Sequence, residues 1–222
     1  MNVVMRKLVA KDLYVNRWFI AGGAVASVAS VVIAGCGKTA FNVGSLSWLT
    51  TLVATAVMLA IYGVMYERKE QSLQFVLSLP LSIEEYVAAK LLGVTLCFLL
   101  VWIPGSAAAL ILVFGSDSIP DGIAPYTVLL CCFMLANFAV VMCGSIHART
   151  EALTTSTIVL TNMSLSIFMF TIAPLSEIGP YMWKPQPFWS PTFWIVLGCE
   201  MVVLVVALTL PFFFAARRRN FL

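Results

Sequence analysis

The feature that most limits what this chain can become is the length of its uncharged stretches. Six segments run without Lys, Arg, Asp or Glu: 18–37, 39–66, 91–116, 122–148, 152–176 and 185–216, the last interrupted only by Glu200. Crossing a hydrocarbon core takes roughly 20 mostly apolar helical residues. Apolar residues within each segment are continuous rather than alternating, which excludes barrel strands. Backbone groups in lipid must find partners inside their own segment, so such runs form helices. The second and sixth segments exceed one span and open on breaker-rich sequence (Asn42, Gly44, Ser45; Pro185, Pro187, Pro191) that reads as loop. The expected spans are therefore 18–36, 46–66, 88–114, 123–146, 152–173 and 192–214.

Composition agrees. The chain is 61% apolar and 10% charged with a mean hydropathy of +0.99, whereas soluble domains carry roughly 25% charged residues. A disordered chain, a soluble globule and a nucleic-acid binder with a basic face are excluded. The fold class is an all-α integral membrane protein in a single domain, with an N-terminal interfacial helix at 2–16 followed by six transmembrane helices.

Charge placement orients it. With both termini in the cytoplasm, eleven of the thirteen cations lie inside, leaving only Lys38 and Lys184 outside. The opposite orientation breaks the positive-inside rule. Trp18, Tyr62 and Tyr66 then mark the inner boundary, and Trp183, Trp189 and Trp194 the outer one, as interfacial aromatics do.

Three motifs dissolve on inspection. Gly37-Lys38-Thr39 resembles the end of a phosphate-binding loop, but position 32 is Val rather than the required glycine, so no nucleotide site is expected. Ile33-Ala34-Gly35-Cys36 matches a lipoprotein cleavage sequence, yet the long preceding segment with Asp12 favours a retained first span. His147 and Glu151 stand four residues apart in a short turn, and two ligands do not make a metal site. No metal site, catalytic constellation or disulfide framework is expected, because five of the six cysteines lie within spans.

Polar residues inside the spans carry more information. Glu200 lies about eight residues into the sixth span, where an acid is costly and faces a cavity or a partner. Pathway-lining, gating and purely structural roles all stay open for it. The fifth span is rich in hydroxyls, with Thr161 and Asn162 at mid-depth. That polarity predicts a buried helix, facing a translocation path or its own bundle, rather than a lipid-exposed one. In the first span Gly22, Ala26, Ser30 and Ala34 recur every four residues, a ridge suited to close helix contact within the subunit or across a dimer.

On the cytoplasmic side, residues 2–16 place Arg6, Lys7 and Lys11 on one side of a helix and Val4, Leu8, Val9 and Leu13 on the other, with Asp12 the exception. That split predicts a helix lying along the inner leaflet. The longest cytoplasmic loop opens with Glu67, Arg68, Lys69 and Glu70. It continues as a short amphipathic helix whose Leu73, Val76, Leu77 and Pro80 share one side, and Pro80 stops it. Ser82 and Glu85 then form a capping box that starts the next helix, which Pro104-Gly105 kinks. A short ordered helix held between two spans suits docking to a soluble partner.

This layout, with Glu67, Glu70, Leu77, Ser78, Leu79, Pro80, Ser82, Glu85, Tyr86 and Lys90 in the loop, resembles the permease subunits of type-2 ABC exporters. The resemblance covers the whole chain in layout and about 68–92 in motif. It implies that two permeases pair, as homo- or heterodimer, and that each docks on a separate ATPase subunit. The docking residues it implies are Glu67, Arg68, Lys69, Glu70, Leu73, Leu77, Ser78, Leu79, Pro80, Glu84 and Glu85. ATP and Mg are expected in the partner ATPase, and no cofactor in this chain. The implied location is a bacterial cytoplasmic (inner) membrane. The family's re-entrant helices have room only for an abbreviated version in the extracytoplasmic loop 174–191. A gradient-driven transporter or channel is the competing function, but such proteins show internal repeats and several intramembrane charges. An intramembrane enzyme or assembly scaffold ranks third, since catalytic groups are missing.

Overall fold

The computed structural model describes residues 3–66, 82–116, 119–148 and 150–217. Among them every long element is helical and no strand occurs. The helices are α1 (Val3–Val15), α2 (Arg17–Ala34), α3 (Lys38–Ala60, continued by a π turn at Ile61–Met65), α4 (Ile83–Gly115), α5 (Ala124–His147), α6 (Glu151–Ile172) and α7 (Pro191–Arg217). Six of these, α2 to α7, are long and apolar enough to cross a membrane.

Their starts follow local chemistry. The Ser82–Glu85 capping box forms in both directions: the Glu85 amide donates to Ser82 Oγ at 3.1 Å and the Ser82 amide to Glu85 Oε2 at 3.0 Å. Thr150 Oγ1 accepts from the Leu153 amide at 3.3 Å, and Ser190 Oγ from the Phe193 amide at 3.1 Å. Each oxygen satisfies a donor that a helix start leaves open.

One expected start was misplaced. Asn42, Gly44 and Ser45 read as loop, but α3 already begins at Lys38. Gly44 does not break the helix; it admits the neighbouring one. A Cβ there would overlap the Ala34 amide nitrogen and lie 2.5 Å from the Ser30 carbonyl oxygen. Backbones approaching this closely gain van der Waals contact, the main attraction between helices in lipid. The same device recurs at Gly105 of α4, where a Cβ would collide with Ser27 Oγ and stand 2.9 Å from Trp48 Nε1. α4 itself runs as one helix through Pro104.

α5 is the central post, with 67% of its most apolar stretch buried. It packs on α3, α4, α6 and α7. Phe138 stacks flat on Phe98 of α4, centroids 4.1 Å apart and rings within 1° of parallel, beside Leu59, Val94 and Met142. Trp102 Nε1 donates to the Cys131 carbonyl oxygen at 2.9 Å, tying α4 to α5 a turn higher.

The N-terminal helix differs from expectation in what covers it. Arg6, Lys7 and Lys11 are exposed as predicted, but the opposite face packs on α4 rather than on lipid alone. Asp12, the apparent exception, is the reason. Lys90 Nζ of α4 donates to both its carboxylate oxygens at 3.1 and 3.2 Å, with both side chains about 93% buried. Gly93, one turn on, makes room: a Cβ there would stand 2.8 Å from Asp12 Oδ2.

Losing one member of a buried pair costs up to about 3–5 kcal/mol, and the Lys11 ammonium, 3.8 Å from Asp12 Oδ1, offsets only part of it because it is half-exposed. Lys90→Met is therefore expected to lower the melting temperature of detergent-solubilised protein markedly. The double variant Asp12→Leu/Lys90→Met should recover most of that loss. Additive melting shifts would deny the pair its anchoring role.

Candidate functional site

The described chain reaches the expected docking loop from both sides without including it. Glu67, Arg68, Lys69, Glu70, Leu73, Leu77, Ser78, Leu79 and Pro80 lie outside the described residues. On the near side, α3 ends in the π turn Ile61–Met65, with Tyr62 and Tyr66 stacked at 5.0 Å. On the far side, Glu84 is exposed in the first turn of α4 and Glu85 is held by the capping box. Two turns further along, Lys90 binds α1. The helix that leaves the loop is thus capped at its start and fastened to the N-terminal helix just beyond.

The intramembrane residues separate in the structure. Glu200 lies on the part of α7 that packs against α5, within electrostatic reach of Cys131 and Cys132. It is only 6% exposed, and neither carboxylate oxygen has a hydrogen-bond partner among the described residues. Burying such a group without a partner is costly.

Thr161 and Asn162 sit elsewhere, on α6. Here the expectation of a buried fifth span fails for the single chain, because only 6% of its most apolar stretch is buried. Thr154, Ile158 and Thr161 form the narrow inward stripe, and Asn162 is half-buried beside it. Leu153, Leu160, Met163, Ile167 and Phe170 point outward. The hydroxyls misled because several serve their own helix. Thr157 donates to the Leu153 carbonyl at 2.9 Å, Thr161 to that of Thr157 at 2.8 Å and Thr171 to that of Ile167 at 2.8 Å. A self-satisfied hydroxyl does not require a polar neighbour. Contact with α5 is close where Gly144 faces Thr157 and where Phe133 stacks on Phe168 at 4.2 Å.

The small-residue ridge of α2 also divides. Ser30 and Ala34 are buried against α3 at Gly44, whereas Gly22 and Ala26 are exposed. The face packed inside the subunit is instead Gly23, Ser27, Val31 and Ala34. His147 and Glu151 stand at successive helix ends, since α5 ends at His147 and α6 begins at Glu151. His147 Nδ1 donates to the Cys143 carbonyl at 2.7 Å and its ring meets Phe214 edge-on at 4.8 Å.

Two features escaped the sequence reading. Asp12 and Lys90 are opposite charges set among apolar helix faces, and that complementarity was the available signal. The second is the segment between α6 and α7. No re-entrant helix pair forms there; a single 3-10 turn, Gly179–Tyr181, folds Ile178 and Met182 onto Tyr126, Leu129 and Phe193. Glu177 fastens this cap by accepting from the Thr192 hydroxyl at 2.6 Å and its amide at 3.3 Å.

Compared with known proteins, residues 7–179 match the family described as ABC-2 family transporter protein. No curated protein matches the chain.

The cap carries a pH signature. The Thr192 hydroxyl, then its amide, hold the Glu177 carboxyl below the ordinary range. A lowered folded-state value means that this contact stabilises fully above the unfolded carboxylate value and is lost as pH falls through the lowered one. Thr192→Val is expected to return the Glu177 titration toward the ordinary range, read by carboxyl-carbon NMR. An unchanged titration would show that the hydroxyl does not hold it.

Proposed function

Because the chain belongs to the ABC-2 family of transporter proteins, and so is a permease of an ABC-type transporter, we propose that it works as a dimer driven by separate ATPase subunits that dock on 67–85. The observation that carries this reading is the family match itself, which takes in the docking segment and the first five spans. Membership already implies an ABC ATPase and a lipid bilayer as partners. ATP and Mg belong to the ATPase in this reading. The membrane is the bacterial inner membrane, with both termini, α1 and the docking loop facing the cytoplasm.

Several structural features support it. A helix passing on the ATPase stroke must move as a rigid lever, and α4 is suited to this. It begins at a complete capping box next to the docking segment and runs 33 residues. The buried Lys90–Asp12 pair makes α1 move with it. A second permease copy finds an open surface on α6, whose outward apolar side chains are interleaved with Thr155, Ser156, Ser166 and Thr171. Hydroxyl-bearing faces of this kind suit contact between helices in a membrane. Gly22 and Ala26 on α2 leave a second shallow surface for such contact. The substrate path then lies between copies along the outward face of α6, with half-buried Asn162 at its edge and Thr161 turned inward, away from it. Glu200, buried behind α5, acts as a gating group that senses movement of α7 rather than as a residue lining the path.

Affinity purification from membranes should recover a soluble ATPase in a complex whose mass contains two permease copies. The charge reversals Glu67→Lys and Glu70→Lys should reduce ATPase recovery by about tenfold, equivalent to about 1.4 kcal/mol. Undiminished recovery with every change between 67 and 85 would overturn the docking assignment.

Glu200→Gln keeps the shape and removes the acid. Folded yield should be preserved while transport, or the permease-stimulated ATPase rate, changes several-fold. Unchanged transport would make Glu200 structural.

A further inference from the structure

Two neighbouring cavities open on the side of the bundle opposite the termini, where the connections α2–α3, α4–α5 and α6–α7 all lie. The inner one, of about 390 Å³, is a pouch between helices walled mainly by apolar side chains, among them Val31, Leu49, Leu112, Leu130 and Met169. The outer one, of about 580 Å³, is bordered by Lys38, Asn42, Pro120 and Trp183. They share Ala34, Phe41, Asn42 and Ile123, so they form one continuous recess. Its rim is braced: the Gly122 amide donates to the Lys184 carbonyl at 3.0 Å, holding the Trp183 segment beside the Pro120 turn.

Size, depth and charge together point to an occupant. Interiors tolerate few voids larger than a water molecule, and apolar cavities do not retain water. From Lys38 to Leu49 the recess descends along α3 by roughly 16 Å at about 1.5 Å per residue. That is close to half of the roughly 30 Å hydrocarbon core, the depth of one leaflet. Among the described residues its one charged lining side chain is Lys38, which is exposed and makes no ion pair with any of them. An indole, Trp183, stands at the same level, where amphipathic rings mark the headgroup zone.

The geometry points to a lipid-binding site: an anionic phospholipid from the leaflet opposite the termini places one acyl chain in the pouch and its phosphate at Lys38 and Asn42. Gly37-Lys38-Thr39, empty of meaning as a nucleotide motif, thereby gains a use as the headgroup contact. The site lies within one subunit and does not depend on how the permease is driven.

Trp48 lines the pouch yet is only 4% exposed, so bulk lipid does not reach it. A variant keeping Trp48 as its one tryptophan is reconstituted into phosphatidylcholine vesicles doped with either phosphatidylglycerol or phosphatidylcholine brominated on the acyl chains. Brominated phosphatidylglycerol should quench Trp48 several-fold more than brominated phosphatidylcholine at equal mole fraction. Lys38→Gln should remove that preference, and Ser45→Phe, which fills the pouch, should remove quenching by both. Equal quenching by the two lipids, or quenching undiminished in Ser45→Phe, would overturn the assignment. Absence of all quenching would also overturn it, leaving the recess to be covered by a second copy. Native mass spectrometry of the otherwise unaltered protein gives an independent reading. Phosphatidylglycerol adducts should survive in preference to phosphatidylcholine and be lost in Lys38→Gln; equal retention of the two lipids would refute the site.

Discussion

Helices in a bilayer gain little by hiding apolar surface from one another, because the lipid around them is equally apolar. What holds them is close contact, and close contact needs places where a side chain is missing. Three glycines supply such places here. Gly44 lets α3 rest on the backbone of α2, Gly105 lets α4 meet Ser27 and Trp48, and Gly144 lets α5 meet Thr157 of α6. With those approaches made, α5 becomes a post around which the larger side chains interlock, as in the flat stack of Phe98 on Phe138. The most apolar helices need not be the most buried: α7 has a higher hydropathy than α5 but far less of it is covered.

Charge does a different job. The Asp12–Lys90 pair adds little as an attraction, since two desolvated ions regain little more than they lose. Its effect is positional, committing α1 to one register on α4 close to the start of that helix. On the proposed reading, in which an ATPase docks next to the start of α4, that element must pass force onward without slipping. The capping box and the ion pair give the first turns of α4 that stiffness. Glu200, with no hydrogen-bond partner among the described residues, is the complementary case: a buried acid left without compensation there.

Legibility varied with the type of signal. Helix number was readable because lipid allows a continuous apolar segment no other backbone solution. The start of α3 was not, because glycine means breaker in water and contact point in a membrane, and only the neighbour at Ser30 and Ala34 decides which. The burial of α6 was misjudged for a related reason. Hydroxyl content measures how many donors a helix carries, while Thr157, Thr161 and Thr171 spend theirs on their own carbonyls. Of the proposed site, Glu200 was visible as the lone acid in a span, but its position behind α5 depended on the rotation of α7, which an almost uniformly apolar helix does not encode.

The sequence by itself determined the class, the six spans, the cap at Ser82–Glu85 and the resemblance that family membership bears out. Each depends on residues near one another in the chain, or on the bulk contrast between lipid and water. Only the tertiary structure decided that Asp12 faces Lys90, that half of the α2 ridge is already used, that α6 is left open, and that Lys38 stands over an apolar recess. Those depend on how each helix is turned about its own axis. In a medium where nearly every face is apolar, rotation is set by the shape of the neighbour and not by a hydrophobic pattern.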